Sequence, residues 1–392
     1  MSSRVDPNLI NELKQFGDLN VEACFNCGNC TAICPLSGDE TPFPRNNIRR
    51  FQLGLKDEIL QSPDPWLCYY CGDCTTTCPR GAEPAEAQMA MRRWLTAQYD
   101  WTGLSGILYR SKALTYGTVL VTMGLVVVLF ALFHGPMVTD RVEINAFAPV
   151  HVIHILDLIL AAVIGVLLAG QVFRMYTYII RRGTDTPIPP SVYLAQAWVL
   201  PYHFVTQMRW SGCADRAEGN DVEPEAEGRL PWITHILLVS GYIIMFIMVV
   251  GFLPWFQTDE IRSFFHPQRL LGYYAAVVII VGTGRALWSR LRKTVQVDRH
   301  SQPSDWLLPG LLLGLAVTGM LVSIFKYMNL PLATYASYVA HMAVMVSLYV
   351  AIGPLGKWSH MFYRPLAIYF QEVKQKAEER EAQPNLVPSG AD

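Results

Sequence analysis

Residues 24–35 read Cys-Phe-Asn-Cys-Gly-Asn-Cys-Thr-Ala-Ile-Cys-Pro, and residues 68–79 repeat the form as Cys-Tyr-Tyr-Cys-Gly-Asp-Cys-Thr-Thr-Thr-Cys-Pro. Each run places three cysteines at x2 spacing, then a fourth after three residues and immediately before proline. Three closely spaced thiolates wrap three corners of an iron–sulfur cubane, and the fourth is held apart by the turn before proline, so that it reaches the neighbouring cluster. The spacing therefore assigns Cys24, Cys27, Cys30 and Cys78 to one [4Fe–4S] cluster, and Cys68, Cys71, Cys74 and Cys34 to a second. A pair of four-cysteine zinc sites is the competing reading, but zinc requires no fixed x3-Cys-Pro ending.

Working outward, eight of the chain's 9 cysteines precede residue 80, and Cys213 stands alone. Clustering of this kind in a reducing compartment points to metal rather than disulfides. At 52% hydrophobic and 16% charged residues, the 392-residue chain is too apolar for an ordinary soluble domain. The apolar residues gather after about residue 110, in long runs separated by basic or proline-rich connections. A net charge of −1 argues against nucleic acid as a partner. The first forty residues lack the apolar stretch of a secretory signal, so the cysteine-rich part is expected in the cytoplasm.

Between the cysteine runs, the apolar positions 48, 51 and 55 follow helical spacing, and Gly54 suits a helix end. After the second run, residues 84–98 read as a helix with Pro84 near its first turn. Over residues 20–98 the sequence resembles the helical ferredoxin that forms the iron–sulfur (C) subunit of heterodisulfide reductase. Succinate dehydrogenase and fumarate reductase iron–sulfur subunits share such a helical domain but carry a plant-type ferredoxin domain before it, which is absent here.

Six stretches, at roughly 112–133, 150–178, 232–255, 270–288, 306–327 and 333–358, approach the ~20 residues that a bilayer requires. The fold expected is all-α: a helical two-cluster ferredoxin domain over 1–110, a six-helix transmembrane bundle over 111–365, and a charged, partly disordered cytoplasmic tail over 366–392. Arg92, Arg93, Arg110, Lys112, Arg181, Arg182, Arg290, Arg292, Lys293, Lys357 and Arg364 all fall on the ferredoxin side of the spans. By the positive-inside rule that side is cytoplasmic, with both termini on it, in a multi-pass protein of the inner membrane. Residues 190–210, aromatic and interrupted by Pro201, read as interfacial. Residues 212–229 read as a loose acidic loop.

Ionisable groups inside spans are costly and mark functional sites. His235 and His360 fall near the ferredoxin side, and His154 and His341 near the opposite side, so two depths each carry a histidine pair. Two b-type haems with bis-histidine ligation are expected, the outer less firmly because Met245 competes as a partner for His341. The nineteen residues from His341 to His360 span nearly a hydrocarbon thickness at ~1.5 Å per residue, too far for one haem. The absence of a Cys-x-x-Cys-His sequence excludes c-type attachment. Asp157, costing about 2.5–3.5 kcal/mol in mid-bilayer, and Lys326 are candidates for a quinone site by the outer haem, with snorkelling the alternative. Arg285 is a candidate for a haem propionate.

The end of the sixth stretch, Pro354-Leu355-Gly356-Lys357-Trp358-Ser359-His360, resembles the closing haem helix of respiratory nitrate reductase gamma subunits and of the cytochrome (E) subunit of heterodisulfide reductase. In those families two histidines on this helix bind different haems. This chain departs in having Met245 where the nitrate reductase family has histidine, and in spacing the closing pair one residue wider. A heterodisulfide reductase-like ferredoxin joined to such a cytochrome b resembles, over residues 20–365, the membrane subunits of the quinone-interacting membrane-bound oxidoreductases of sulfate reducers. That resemblance implies menaquinone and two cytoplasmic flavin and iron–sulfur subunits related to the flavoprotein (A) subunit of heterodisulfide reductase. It also implies a link to adenylylsulfate reductase in sulfate respiration. The residues alone support a narrower reading: an electron conduit between a lipid-soluble carrier and a soluble partner. A related sulfite-reduction or heterodisulfide reductase complex, and a redox sensor, remain the alternatives. The chain carries no glycine-rich dinucleotide fingerprint, so flavin belongs to partners.

Overall fold

The computed structural model describes residues 4–38, 41–211, 230–293 and 295–382; Cys213, the 212–229 loop and residues 383–392 lie outside the described residues. The described residues form helices and connecting turns, with no strand. In the N-terminal part, the short helices Asn29–Ile33 and Asp73–Thr76 each follow a cysteine loop. Helix Arg45–Gln52 lies between the loops and turns Ile48 and Phe51 inward, as the spacing predicts. Helix Pro84–Tyr99 begins with proline at its first turn, where the missing N–H costs nothing.

Among the described residues, six helices are long and apolar enough to cross a membrane: Lys112–Phe133, Val150–Arg181, Leu230–Phe256, Pro267–Arg292, Pro303–Tyr327 and Pro331–Ile352. Their outer faces carry Val121, Phe133 and Val166 in the open, an arrangement that suits lipid. The sixth is the most enclosed, half of its apolar window being buried against the others.

Three expectations from sequence need correction. The sixth span does not run to residue 358. It loosens into a π-turn over Leu348–Ile352 and breaks at Gly353 (φ −55°, ψ −115°), because Pro354 supplies no N–H and disfavours helical backbone before it. Lys357–Ser359 forms a 3-10 turn, and His360 opens a separate helix, His360–Ala382. His341 and His360 therefore stand on different helices, and angles counted along a single helix do not relate them.

The second correction concerns residues 366–382, expected as the start of a tail. They continue that last helix and bury Ala367, Ile368, Phe370, Val373 and Ala377. Tyr363, Ala367 and Phe370 share one apolar core with Leu13, Phe51, Trp66 and Trp94 of the N-terminal part and Met175 and Ile179 of the second span. Charged residues on the outer face of the helix conceal this inner face in the composition. The third concerns Arg92 and Arg93, read as charges flanking a span. Both are buried, because helix Pro84–Tyr99 lies at the centre of the N-terminal part and its guanidinium groups are consumed by internal partners.

Candidate redox centres

The two cysteine loops share a backbone device. Asn26 and Tyr70, each between the first two cysteines of its loop, have φ of 61° and 64°, and Gly28 and Gly72, after the second cysteine, have φ of 94° and 97°. Left-handed residues at matching positions curl each loop around a common centre, and only glycine takes the second position without strain. Backbone N–H groups reach sulfur at two places: in the first curl Asn26 N–H donates to Cys24 Sγ at 3.4 Å, and after the second run Ala82 N–H donates to Cys78 Sγ at 3.4 Å.

The cysteines group across the loops. Burial raises the Cys30 thiol above its ordinary value, and Cys24, Cys78 and Cys27 push it the same way. Cys34 is pushed up to about 12 by burial and then by Cys68, Cys71 and Cys30. Burial also raises Cys74, with Cys68, Cys71 and Cys34 adding to it. Each fourth cysteine thus stands among the three of the other loop. The inner thiols, Cys30, Cys34 and Cys74, resist ionisation beside their neighbours, and a metal's positive charge would offset that cost, which suits iron. Cys34, Cys68, Cys71 and Cys74 line one cavity, with Pro35, Phe43, Pro44 and Tyr70 among its other walls. Cys27 and Cys71 are exposed.

A buried ionic chain runs from the second loop into the membrane half. Tyr70 donates its hydroxyl to Glu86 at 2.9 Å, Glu86 pairs with Arg93 at 2.8 Å, Arg93 with Asp305 at 2.9 Å, and Asp305 with Lys357 at 2.5 Å. Asp305 also closes a capping box with Gln302 at the start of the fifth span. Burial raises the Glu86 carboxyl while Arg93 opposes it. Burial lowers the Lys357 ammonium against the pull of Asp305. None of these five residues was singled out from sequence as part of a site; the only signal was polar residues inside helix 84–98 and at a span end.

Among the four candidate haem histidines, three have Nδ1 occupied by a protein oxygen. His235 Nδ1 meets Gln207 Oε1 at 2.6 Å, His360 Nδ1 meets the Lys357 carbonyl, and His341 Nδ1 meets Thr318 Oγ1 and the Leu315 carbonyl, each at 3.1 Å. Nδ1 fixed in this way and Nε2 left to coordinate is the arrangement of a metal-ligating imidazole. His235 and His360 lie near enough for the first to depress the second electrostatically, although burial is the larger cause of the lowered His360 value, about 3. The His360 ring thus stays neutral, as ligation requires. Trp210 stands edge-on to His235 at 4.5 Å between ring centres. Gln207 and Trp210 come from the 190–210 segment, whose aromatic character gave no hint of this use. Its short helices Pro190–Gln196 and Val199–Thr206 expose Leu194 and Val205 while packing on the last helix.

His154 differs, its Nε2 meeting the Val250 carbonyl at 2.9 Å. Its neighbour Ile153 shares a core with Tyr338, Val339 and Met342, which flank His341 along the sixth span. Met245, the rival partner, packs in a separate core with Leu315 and Val344. Asp157 is buried, and among the described residues no hydrogen bond reaches its carboxylate, whereas Lys326 donates to the carbonyls of Thr258 and Glu260, the latter at 3.0 Å. That ammonium holds the loop after the third span. Arg285 is exposed on the fourth span.

Residues 20–82 match the family model described as a 4Fe-4S dicluster domain. The chain is 43% identical over 64 residues to the (C) subunit of the H(2):CoB-CoM heterodisulfide,ferredoxin reductase of Methanothermobacter marburgensis, covering 16% of this chain and 34% of that one. It is 40% identical over 89 residues to a protein of Archaeoglobus profundus similar to the heterodisulfide reductase (C) subunit, covering 22% and 47%. It is 37% identical over 97 residues to the iron-sulfur (C) subunit of the CoB--CoM heterodisulfide reductase of Methanopyrus kandleri, covering 22% and 50%. The chain thus spans between a third and half of the length of these relatives. No solved structure matches it. A 4Fe-4S dicluster domain thus stands in a chain that also has, among the described residues, six helices long and apolar enough to cross a membrane.

Proposed function

We propose that this chain carries electrons between menaquinol in the membrane and cytoplasmic partner subunits, through two b haems and two [4Fe–4S] clusters. The observation that supports the reading is that the second cysteine loop is tied, by Arg364 on the Cys68 carbonyl and by the polar chain from Tyr70 to Lys357, to the helix that His360 opens, close to His235. In this reading, Cys24, Cys27, Cys30 and Cys78 hold one cluster, and Cys34, Cys68, Cys71 and Cys74 the other. His235 and His360 hold the inner haem. His341 holds the outer haem, with His154 as partner once its bond to the Val250 carbonyl is released, or else Met245. Arg285 is assigned to a propionate. Each of these groups accepts or gives a single electron when bound.

The chain's own residues supply position and charge. Gln207 and the Lys357 carbonyl fix the two inner imidazoles in one tautomer, and Asn26 and Ala82 donate to sulfur, which stabilises thiolate character. Asp157, buried one helical turn from His154, is the group able to hold a proton from quinol; Lys326 belongs to the same outer end but holds a loop. The ferredoxin side is assigned to the cytoplasm, and the domain limits 1–110 and 111–365 describe cofactor placement rather than packing. The partners are assigned as flavin and iron–sulfur subunits related to the flavoprotein (A) subunit of heterodisulfide reductase, serving adenylylsulfate reductase in sulfate respiration.

The test is purification of the whole protein from membranes, iron and haem counting, and haem reduction by a menaquinol analogue. About eight non-haem irons and reducible low-spin b haem support the reading; zinc in place of iron, or haem indifferent to quinol, refutes it.

A further inference from the structure

The two cysteine quartets stand in unequal relation to the membrane half. The Cys68 carbonyl, in the second loop, accepts from the Arg364 guanidinium at 3.2 Å. Arg364 lies four residues, one helical turn, after His360 on the helix His360–Ala382. One turn of a single helix therefore carries both a candidate haem histidine and an arginine gripping the cysteine loop. The same loop is tied a second time, since Tyr70 begins the chain Glu86, Arg93, Asp305, Lys357 that ends at the Lys357 carbonyl on His360 Nδ1. Tyr70 also reaches the Val297 carbonyl, beyond the fourth span, at 3.3 Å. The Cys68 carbonyl takes a further charged donor from Arg92.

The first loop presents a different surface. Phe25 is 59% exposed with the Arg80 guanidinium over its ring at 6.0 Å, whereas Tyr69 at the matching position of the second loop is half-buried; Cys27 and Cys71 are both exposed. The loop is braced from within the N-terminal part, where Asn26 donates to Gln52 and Gln52 donates to the Cys24 carbonyl.

We infer that the quartet Cys34, Cys68, Cys71 and Cys74 is the membrane-proximal relay, held by Arg364 one helical turn from His360, and that the quartet of Cys24, Cys27, Cys30 and Cys78 is the distal one, on the side where Phe25 is exposed. The inference rests on the proposed haem at His235 and His360 and adds the order of the centres. With iron bound at His360 and at the second quartet, the transfer this order would serve is of one electron, in either direction, between the two. One centre loses an electron as the other gains it, and no bond is made or broken. Arg364 is a positioning residue whose charge also bears on both centres: a cation beside them favours the reduced, more negative state.

The experiment is a redox titration of the complete membrane protein, with electron paramagnetic resonance for the clusters and absorbance for haem, in wild type, Arg364→Gln and Arg364→Lys. Cys27→Ser and Cys71→Ser assign the cluster signals to their quartets. In Arg364→Gln the inner haem and the second-quartet cluster shift together to lower potential, the first-quartet cluster stays in place, and Arg364→Lys restores both. A purely structural role would not give paired shifts that the conservative cation reverses. Power saturation on the wild type adds a measurement independent of folding in the variants: the Cys71-dependent signal relaxes faster than the Cys27-dependent one when the haem is ferric. Unshifted potentials, a shift confined to the first quartet, or faster relaxation of the Cys27-dependent signal overturns the inference while leaving the proposed function standing. A wild type without haem or clusters removes the functional reading itself.

Discussion

Replacing Arg93 by methionine removes the cation at the middle of the buried ionic chain while keeping much of the side-chain volume. Arg93 and Glu86 are 4% and 2% exposed in their side chains, and the guanidinium also serves Asp305 and the Phe16 carbonyl, the latter at 3.0 Å. Asp305 retains Lys357 and its capping role, so the group stranded by the substitution is Glu86, left with the Tyr70 hydroxyl. Removing one partner of a buried ion pair costs about 3–5 kcal/mol, because the other charge stays desolvated. At about 1.4 kcal/mol per factor of ten, amide exchange in helix Pro84–Tyr99 should quicken roughly a hundredfold to several thousandfold.

Protonation of Glu86 relieves the penalty, which gives it a pH dependence. Burial already raises the Glu86 carboxyl, and loss of Arg93 removes what opposes that rise. Above the ordinary glutamate value of about 4.3, the native state then binds more protons than the unfolded state, so stability falls as pH rises. The defect in Arg93→Met should accordingly be smallest in acid and grow towards neutrality, and adding Glu86→Gln should recover part of it at pH 7. Hydrogen-exchange mass spectrometry of the detergent-solubilised protein measures each point. Exchange within about threefold of wild type at pH 7, or a defect that shrinks as pH rises, would refute the argument.

Three further outcomes follow from the same geometry. Gly72→Ala should lose iron from the second quartet, since φ of 97° strains any side chain and a Cβ there comes within 3.1 Å of Val297; iron content and cluster resonance measure it. His235→Ala and His360→Ala should each abolish the same b-haem component with cluster signals retained, whereas Gln207→Leu should weaken haem retention about 10–100-fold, as loss of an outer-shell partner does, measured by haem titration of apoprotein. Asp157→Asn should slow haem reduction by a menaquinol analogue at unchanged haem content, while Lys326→Met should chiefly loosen the 256–269 loop, read by proteolysis; wild-type rates in Asp157→Asn would move the quinone site elsewhere.

The cysteine pattern, the all-helical class and the six apolar stretches were legible in the sequence because each rests on local periodicity or fixed spacing. A thiolate quartet imposes its spacing on the chain, and a bilayer imposes its thickness on a helix, so neither needs long-range contacts to be recognised. Tertiary structure decided the rest. The charged surface of residues 366–382 hid a helix whose inner face completes the N-terminal core, since half of an amphipathic helix says nothing about which neighbour it meets. The break at Gly353 set His341 and His360 on separate helices, because a glycine before proline permits several backbone paths and packing selects among them. Arg93 with Asp305, 212 residues apart in sequence, and Arg364 with Cys68, 296 apart, are pairs that no local pattern encodes. Spacing alone singled out the eight cysteines as candidates; only packing could decide which of their two loops lies against the helix that carries His360.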